Sequence, residues 1–114
     1  MRFVTALAFV EADHYVELAP TADACGWDAV TVSDHVVFPE RLESPYPYVA
    51  DGKPYWPSST PWPDPWVAIG ALAAVTTRLR FMTNVYVLPA RNPFVVAKAV
   101  GTAAVLSNNR ARMR

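Results

Sequence analysis

Aspartate and histidine stand side by side at positions 34 and 35, directly after the apolar run Ala29-Val30-Thr31-Val32-Ser33. Histidine titrates near neutrality, so it can take or give a proton at physiological pH. A carboxylate beside it can orient a ligand or the ring, although neighbours in a strand point to opposite faces. The structural alternative is a strand-exit Asp34 that caps the next loop, with His35 packed beside it. Residue types alone leave both readings open. A second polar interruption, Thr83-Asn84-Val85, falls inside the otherwise apolar run Arg80 to Leu88. Pleat alternation or a bulge would account for it, and so would an unusual backbone at a ligand platform.

Other chemistries find no support. The two histidines and one cysteine are scattered without zinc-ligand spacing, so no metal site is expected. There is no nucleophile elbow and no P-loop. Phe9-Val10-Glu11-Ala12, after the first apolar run, has no glycine and so no dinucleotide fingerprint. Ten basic and ten acidic residues cancel, which removes the basic excess that nucleic-acid binding needs. The arginines of Arg110 to Arg114 read as a solvated strand start. His14 reads as a surface residue. Cys25 cannot form an internal disulfide and reads as a small core residue of a helix. No apolar run approaches the ~18 residues of a membrane span. Phe3 to Val10 is too short for a signal peptide, so a soluble cytoplasmic protein without a membrane partner is expected.

The elements that must hold these residues alternate. Phe3 to Val10 is a nearly continuous apolar run, as in a parallel strand buried on both faces. Asp13 is a helix cap in prospect, followed by Tyr15, Leu18, Ala22 and Cys25 at helical spacing and by Gly26 as terminator. Pro20 should kink or split that helix. Asp28 to Ser33 is the second strand, with Val30 and Val32 on one face and Ala29, Thr31 and Ser33 on the other. Residues 36–63 hold seven of the eleven prolines together with Phe38, Tyr46, Tyr48, Tyr55, Trp56 and Trp62. The prolines forbid a long helix, and the aromatics are unlike a polar linker. A lid or binding loop is expected there, with a structural cover as the alternative. Asp64-Pro65 opens a second helix and Asn92-Pro93 a third, each pairing a capping side chain with proline at the first helical position. Phe94, Ala97, Val100, Gly101, Ala104 and Val105 mark the third helix's apolar side. Arg80 to Leu88 is the third strand, and Arg110 to Arg114 begins a fourth. This order implies parallel strands with right-handed crossovers, either an open doubly wound sheet or a barrel. Both place ligands at the carboxyl ends of the strands.

Several stretches together resemble the luciferase-like monooxygenases, especially the branch that uses the deazaflavin coenzyme F420. Gly26 to His35 is similar to that family's first helix exit, second strand and Ser-Asp-His turn. Asp64-Pro65-Trp66 and Ala71 to Arg80 resemble its second helix and the entry to its third strand. Thr83-Asn84-Val85, Leu88 to Pro93 and Ala97-Lys98 resemble its third strand and third helix. The resemblance covers nearly the whole chain. It implies an α/β fold, the N-terminal portion of a (β/α)8 barrel: about three βα units plus a strand stub over residues 1–114, ending before the barrel closes. It further implies hydride transfer between coenzyme F420, or alternatively FMN, and a small organic substrate. His35 is then the catalytic proton carrier, and Asp34, Thr83, Asn84 and Val85 are cofactor-binding residues. Asn84-Val85 is expected to be a cis peptide in a bulge behind the cofactor ring. Phe38 is the nearest substrate-pocket member of the aromatic loop. A full barrel of this kind takes ~250 residues. The alternative is therefore a non-catalytic fragment that needs a complementing chain or self-associates into a homo-oligomer.

Overall fold

A computed structural model describes residues 1–114. Four parallel strands lie in sequence order, β1 (Val4–Ala6), β2 (Ala29–Val32), β3 (Arg80–Thr83) and β4 (Ala111–Arg112). Between them run α1 (Tyr15–Ala24), α2 (Pro65–Ala74) and α3 (Pro93–Leu106). The register is unbroken: Val4 faces Ala29, Ala29 faces Arg80, and Phe81 faces Ala111. A doubly wound sheet reverses its strand order at the ligand crevice, whereas a barrel keeps sequential order throughout. The order 1-2-3-4, with α1 against α2 and α2 against α3, is that of a barrel segment.

The core forms where the helices meet the sheet. Val30 and Val32 of β2 and Phe81 of β3 point to the helix side and pack with Ile69, Leu72 and Leu79, all almost fully buried. On the opposite face Ala29 and Thr31 of β2 are buried, whereas Val4 and Ala6 of β1 are exposed and Met82 of β3 is half-buried. The accessible surface is 7677 Å², against about 6200 Å² expected for a folded monomer of this mass. The radius of gyration is 15.1 Å, against about 13 Å for a closed domain of this length.

Both Asx-Pro helix starts form as expected. Asp64 accepts from the amides of Trp66 and Val67, and Asn92 from those of Phe94 and Val95. Gly26 has φ +80°, the left-handed terminator of α1.

Other local expectations are corrected. Asp13 caps nothing. It lies within a 3-10 turn, Ala12–His14, that runs into α1. The helix continues through Pro20 without splitting. Its buried stripe is Tyr15, Ala19 and Asp23, while Leu18 and Cys25 are exposed. Leu18, Ala22 and Cys25 instead line an open apolar groove of about 240 Å³ with Leu7, Val10 and Trp27. The sequence thus marked an apolar face correctly but assigned it to the wrong neighbour. On α3 the core residues are Val96 and Ala103, whereas Phe94 and Val105 are exposed. That helix is apolar nearly all round, so spacing could not select the buried side. The first and third strands are also shorter than their apolar runs: β3 stops at Thr83, and Leu88–Ala90 is a 3-10 turn.

Among the polar clamps that tie the elements together three stand out, two of them at the amino ends of the strands. Asp23, near the end of α1, accepts from the amides of Thr77, Arg78 and Leu79 at 2.7, 3.2 and 3.0 Å. Burial by itself raises the Asp23 pKa. The hydrogen bonds from Thr77 and Arg78 and the Arg78 charge outweigh it, and the carboxyl sits below its ordinary value. Arg110 is anchored rather than solvated. Its guanidinium donates to the carbonyls of Ala73, Thr76 and Leu79 and to the Thr76 hydroxyl, closing the C-terminal end of α2. The third clamp lies at the opposite end of the sheet.

Candidate active site

At the carboxyl end of β2 the chain turns sharply in two directions. Asp34 points inward, its side chain 1% exposed, and forms a two-pronged ion pair with Arg91. Arg91 Nη2 lies 2.6 Å from Asp34 Oδ1, and Arg91 Nη1 lies 2.7 Å from Oδ2. The amide of Val87 donates to the same Oδ2 at 2.8 Å. Arg91 also donates to the Val87 carbonyl and stacks on the Tyr86 ring at 4.3 Å, and Tyr86 packs edge-on against Trp66. The hydrogen bond from Arg91 to Asp34 is the main reason that the Arg91 pKa rises above its ordinary value. Planar, two-pronged contact of this kind is what guanidinium offers and ammonium does not. The clamp holds residues 84–91, the segment after β3, against the end of β2.

His35 turns the other way, into rings. Its imidazole lies 4.4 Å from Trp62, 5.8 Å from Phe38 and 5.9 Å from Trp56, centroid to centroid. Trp56 is the hub of the cluster and also meets Tyr46, Tyr55 and Phe9. The aromatic loop therefore folds back over the strand ends, with short turns at Tyr46–Gly52 and Pro57–Thr60.

The peptide Asn84-Val85 is cis, as the resemblance implied. The Asn84 amide donates to the Val32 carbonyl at 2.9 Å, which sets this bulge beside the exit of β2. Val85 is 66% exposed on the rim. Thr83 is placed differently. It is fully buried, and its hydroxyl exchanges hydrogen bonds with the backbone of Arg114. Of the six residues singled out, the fold gathers Asp34, His35, Phe38, Asn84 and Val85 at one end of the sheet and turns Thr83 into the packing. Asp34 is held there by Arg91 and by the Val87 amide.

Sequence reasoning missed the partner, Arg91, and the ring from the turn after β1, Phe9. Nothing in the sequence links position 34 to position 91, because an ion pair across neighbouring loops leaves no spacing signal. Phe9 adopts φ 63°, uncommon for a bulky residue, and no residue pattern announces it.

The fold and site define a barrel segment whose candidate chemistry sits at the carboxyl rim, where barrel enzymes carry it. The family model of the luciferase-like monooxygenases matches residues 3–114, and the chain belongs to that family. An uncharacterised protein of Mycobacterium tuberculosis is 41% identical over 110 residues, covering 96% of this chain and 38% of the relative. The chain thus spans well under half the length of that relative. Among solved structures, the oxygenating constituent of 3,6-diketocamphane monooxygenase from Pseudomonas putida, in complex with FMN, superposes with a TM-score of 0.72 at 18% identity, over 99% of this chain and 28% of that one. The monooxygenase RslO1 from Streptomyces bottropensis gives 0.71 at 22% identity, over 99% and 32%. No helix is long and apolar enough to cross a membrane.

Proposed function

We propose that this chain carries the proton-moving and ring-supporting part of an oxidoreductase that transfers a hydride between coenzyme F420 and a small organic substrate in the cytoplasm. The observation that supports this most directly is His35 in a family member. It stands at the carboxyl end of a buried strand, held by aromatic rings. An imidazole so placed can take the substrate's proton as the hydride departs and return it in the reverse direction. The rim also suits a flat ring, since Val85 presents an exposed apolar side chain. Asn84 and Val85 would lie behind the cofactor, and a bound deazaflavin or flavin supplies the hydride chemistry. Asp34, fixed in place by Arg91 and the Val87 amide, would lie at the cofactor's edge.

FMN is the second reading, favoured by the FMN-bound 3,6-diketocamphane monooxygenase constituent. Titration of the chain, and of a version extended to its relatives' length, with F420 and with FMN tests the proposal through absorbance and fluorescence. A saturable change with F420 in the extended version supports it, and a change with FMN alone moves the assignment to flavin. No change with either sinks the redox reading. The unpaired edges of β1 and β4 would then mark a surface that a second copy or a complementing chain covers, which light scattering would detect as oligomers.

A further inference from the structure

The turn after β1 and the aromatic loop form a solvent-open pocket beside the rim. It has a volume of about 500 Å³ and is walled by Phe9, Tyr55, Trp56, Pro57 and Pro61, with Glu11, Ser59 and Thr60 also lining it. We propose that this pocket binds a flat, uncharged or cationic ring, the unreacting body of the substrate.

Four observations carry the assignment. First, apart from Val10 the apolar wall is rings and prolines, flat and stiff surfaces suited to a planar body rather than a flexible alkyl chain. Second, Phe9 is held at φ 63° with its ring 5.6 Å from Tyr55, 5.7 Å from Trp56 and 5.3 Å from Trp62. A bulky residue in the left-handed region is a cost that an observed function can account for. Third, Phe9 is 51% exposed and Tyr55 73%, so a stacked ring would cover aromatic surface now bare. Fourth, Glu11 is the one ionisable carboxylate among the lining residues, and it disfavours an anion while tolerating or attracting a cation.

The position couples this pocket to the proposed chemistry. Trp56 lines the pocket and also packs 5.9 Å from His35, so an occupant lies one ring away from the proton carrier. The role as a substrate site rests on the oxidoreductase reading, but the binding does not.

The test is ligand-observed saturation-transfer NMR on the full chain with 2-naphthol, 2-naphthoate and 1-decanol, without cofactor. Saturable binding of 2-naphthol is expected, with 2-naphthoate at least about 5-fold weaker from Glu11 repulsion and 1-decanol weaker still. Tyr55→Ala should weaken 2-naphthol about 5-fold through the lost stacking. Phe9→Gly should do the same while suiting the positive-φ backbone. Glu11→Gln should narrow the gap between 2-naphthol and 2-naphthoate. Equal binding of 1-decanol, no binding of 2-naphthol, or indifference to both ring removals overturns the proposal. Competitive displacement of 2-naphthol by FMN or F420 also overturns it, because the pocket would then be the cofactor's. A chain that binds F420 but ignores 2-naphthol refutes this inference alone, and the converse result refutes only the redox reading.

Discussion

Removing Arg91 leaves the Asp34 carboxylate buried with no counter-charge, and the size of the penalty follows from the geometry. The two side chains are 1% and 16% exposed, and both carboxylate oxygens are within 2.7 Å of a guanidinium nitrogen. Breaking a buried pair from one side costs about 3–5 kcal/mol. With Arg91 at the edge of the buried zone, about 3 kcal/mol is expected for Arg91→Met, a loss of roughly 10 °C or more in Tm for a domain of this size. Asp34→Leu alone strands a guanidinium that is partly accessible, so its cost should be lower. The double variant removes both charges and should be less damaging than the sum, with a coupling of about 2 kcal/mol. Urea unfolding of the four species measures this, and amide exchange at Val87 reports the loop directly, because that amide donates to Asp34. A coupling below about 0.5 kcal/mol, with Val87 exchange unchanged in Arg91→Met, would refute the clamp.

Further predictions follow from the same structure. Asp23 has a depressed folded pKa, so its contribution is present above the unfolded value and is lost as pH falls below about 4. Asp23→Asn should therefore cost roughly 2 kcal/mol at neutral pH, a gap that narrows in acid unfolding titrations. Burial raises the Tyr15 pKa, and the phenol donates to the Leu7 carbonyl at 3.0 Å. Stability from this group is intact below the unfolded value, about 10, and falls as pH rises beyond it. Tyr15→Phe should lose about 1 kcal/mol at pH 7 and flatten that alkaline limb in thermal melts. Leu72→Ala, at a fully buried core position, should cost about 2–5 kcal/mol by chemical denaturation. In an extended, active enzyme His35→Asn should lower kcat by about 100-fold or more with KM nearly unchanged. Parallel losses in both would make His35 a packing residue.

Much of the architecture was legible in the residues. Asp64-Pro65 and Asn92-Pro93 start helices because a capping oxygen and a donorless proline solve the same local problem, the unpaired amides of the first turn. Val30 and Val32 declare the helix-facing side of β2 because the strand's side-chain period is two. Asp34-His35 marked the end of β2 because polar residues close its buried apolar run. These are short-range rules, and the sequence carries them within a few positions.

Tertiary structure alone decided the rest. Which face of an all-apolar α3 is buried depends on where α2 lies, so no periodicity in α3 could say. That Cys25 is exposed follows from the open groove beside α1. That Arg110 closes a helix end follows from where α2 stops. Above all, the fate of Asp34 was settled by a residue 57 positions away. The fold pairs its charge with Arg91 and turns His35 to the aromatic wall. A sequence fixes which groups are present and their local conformation. Whether a charge is still free to act is set by what the folded chain brings within hydrogen-bonding distance of it.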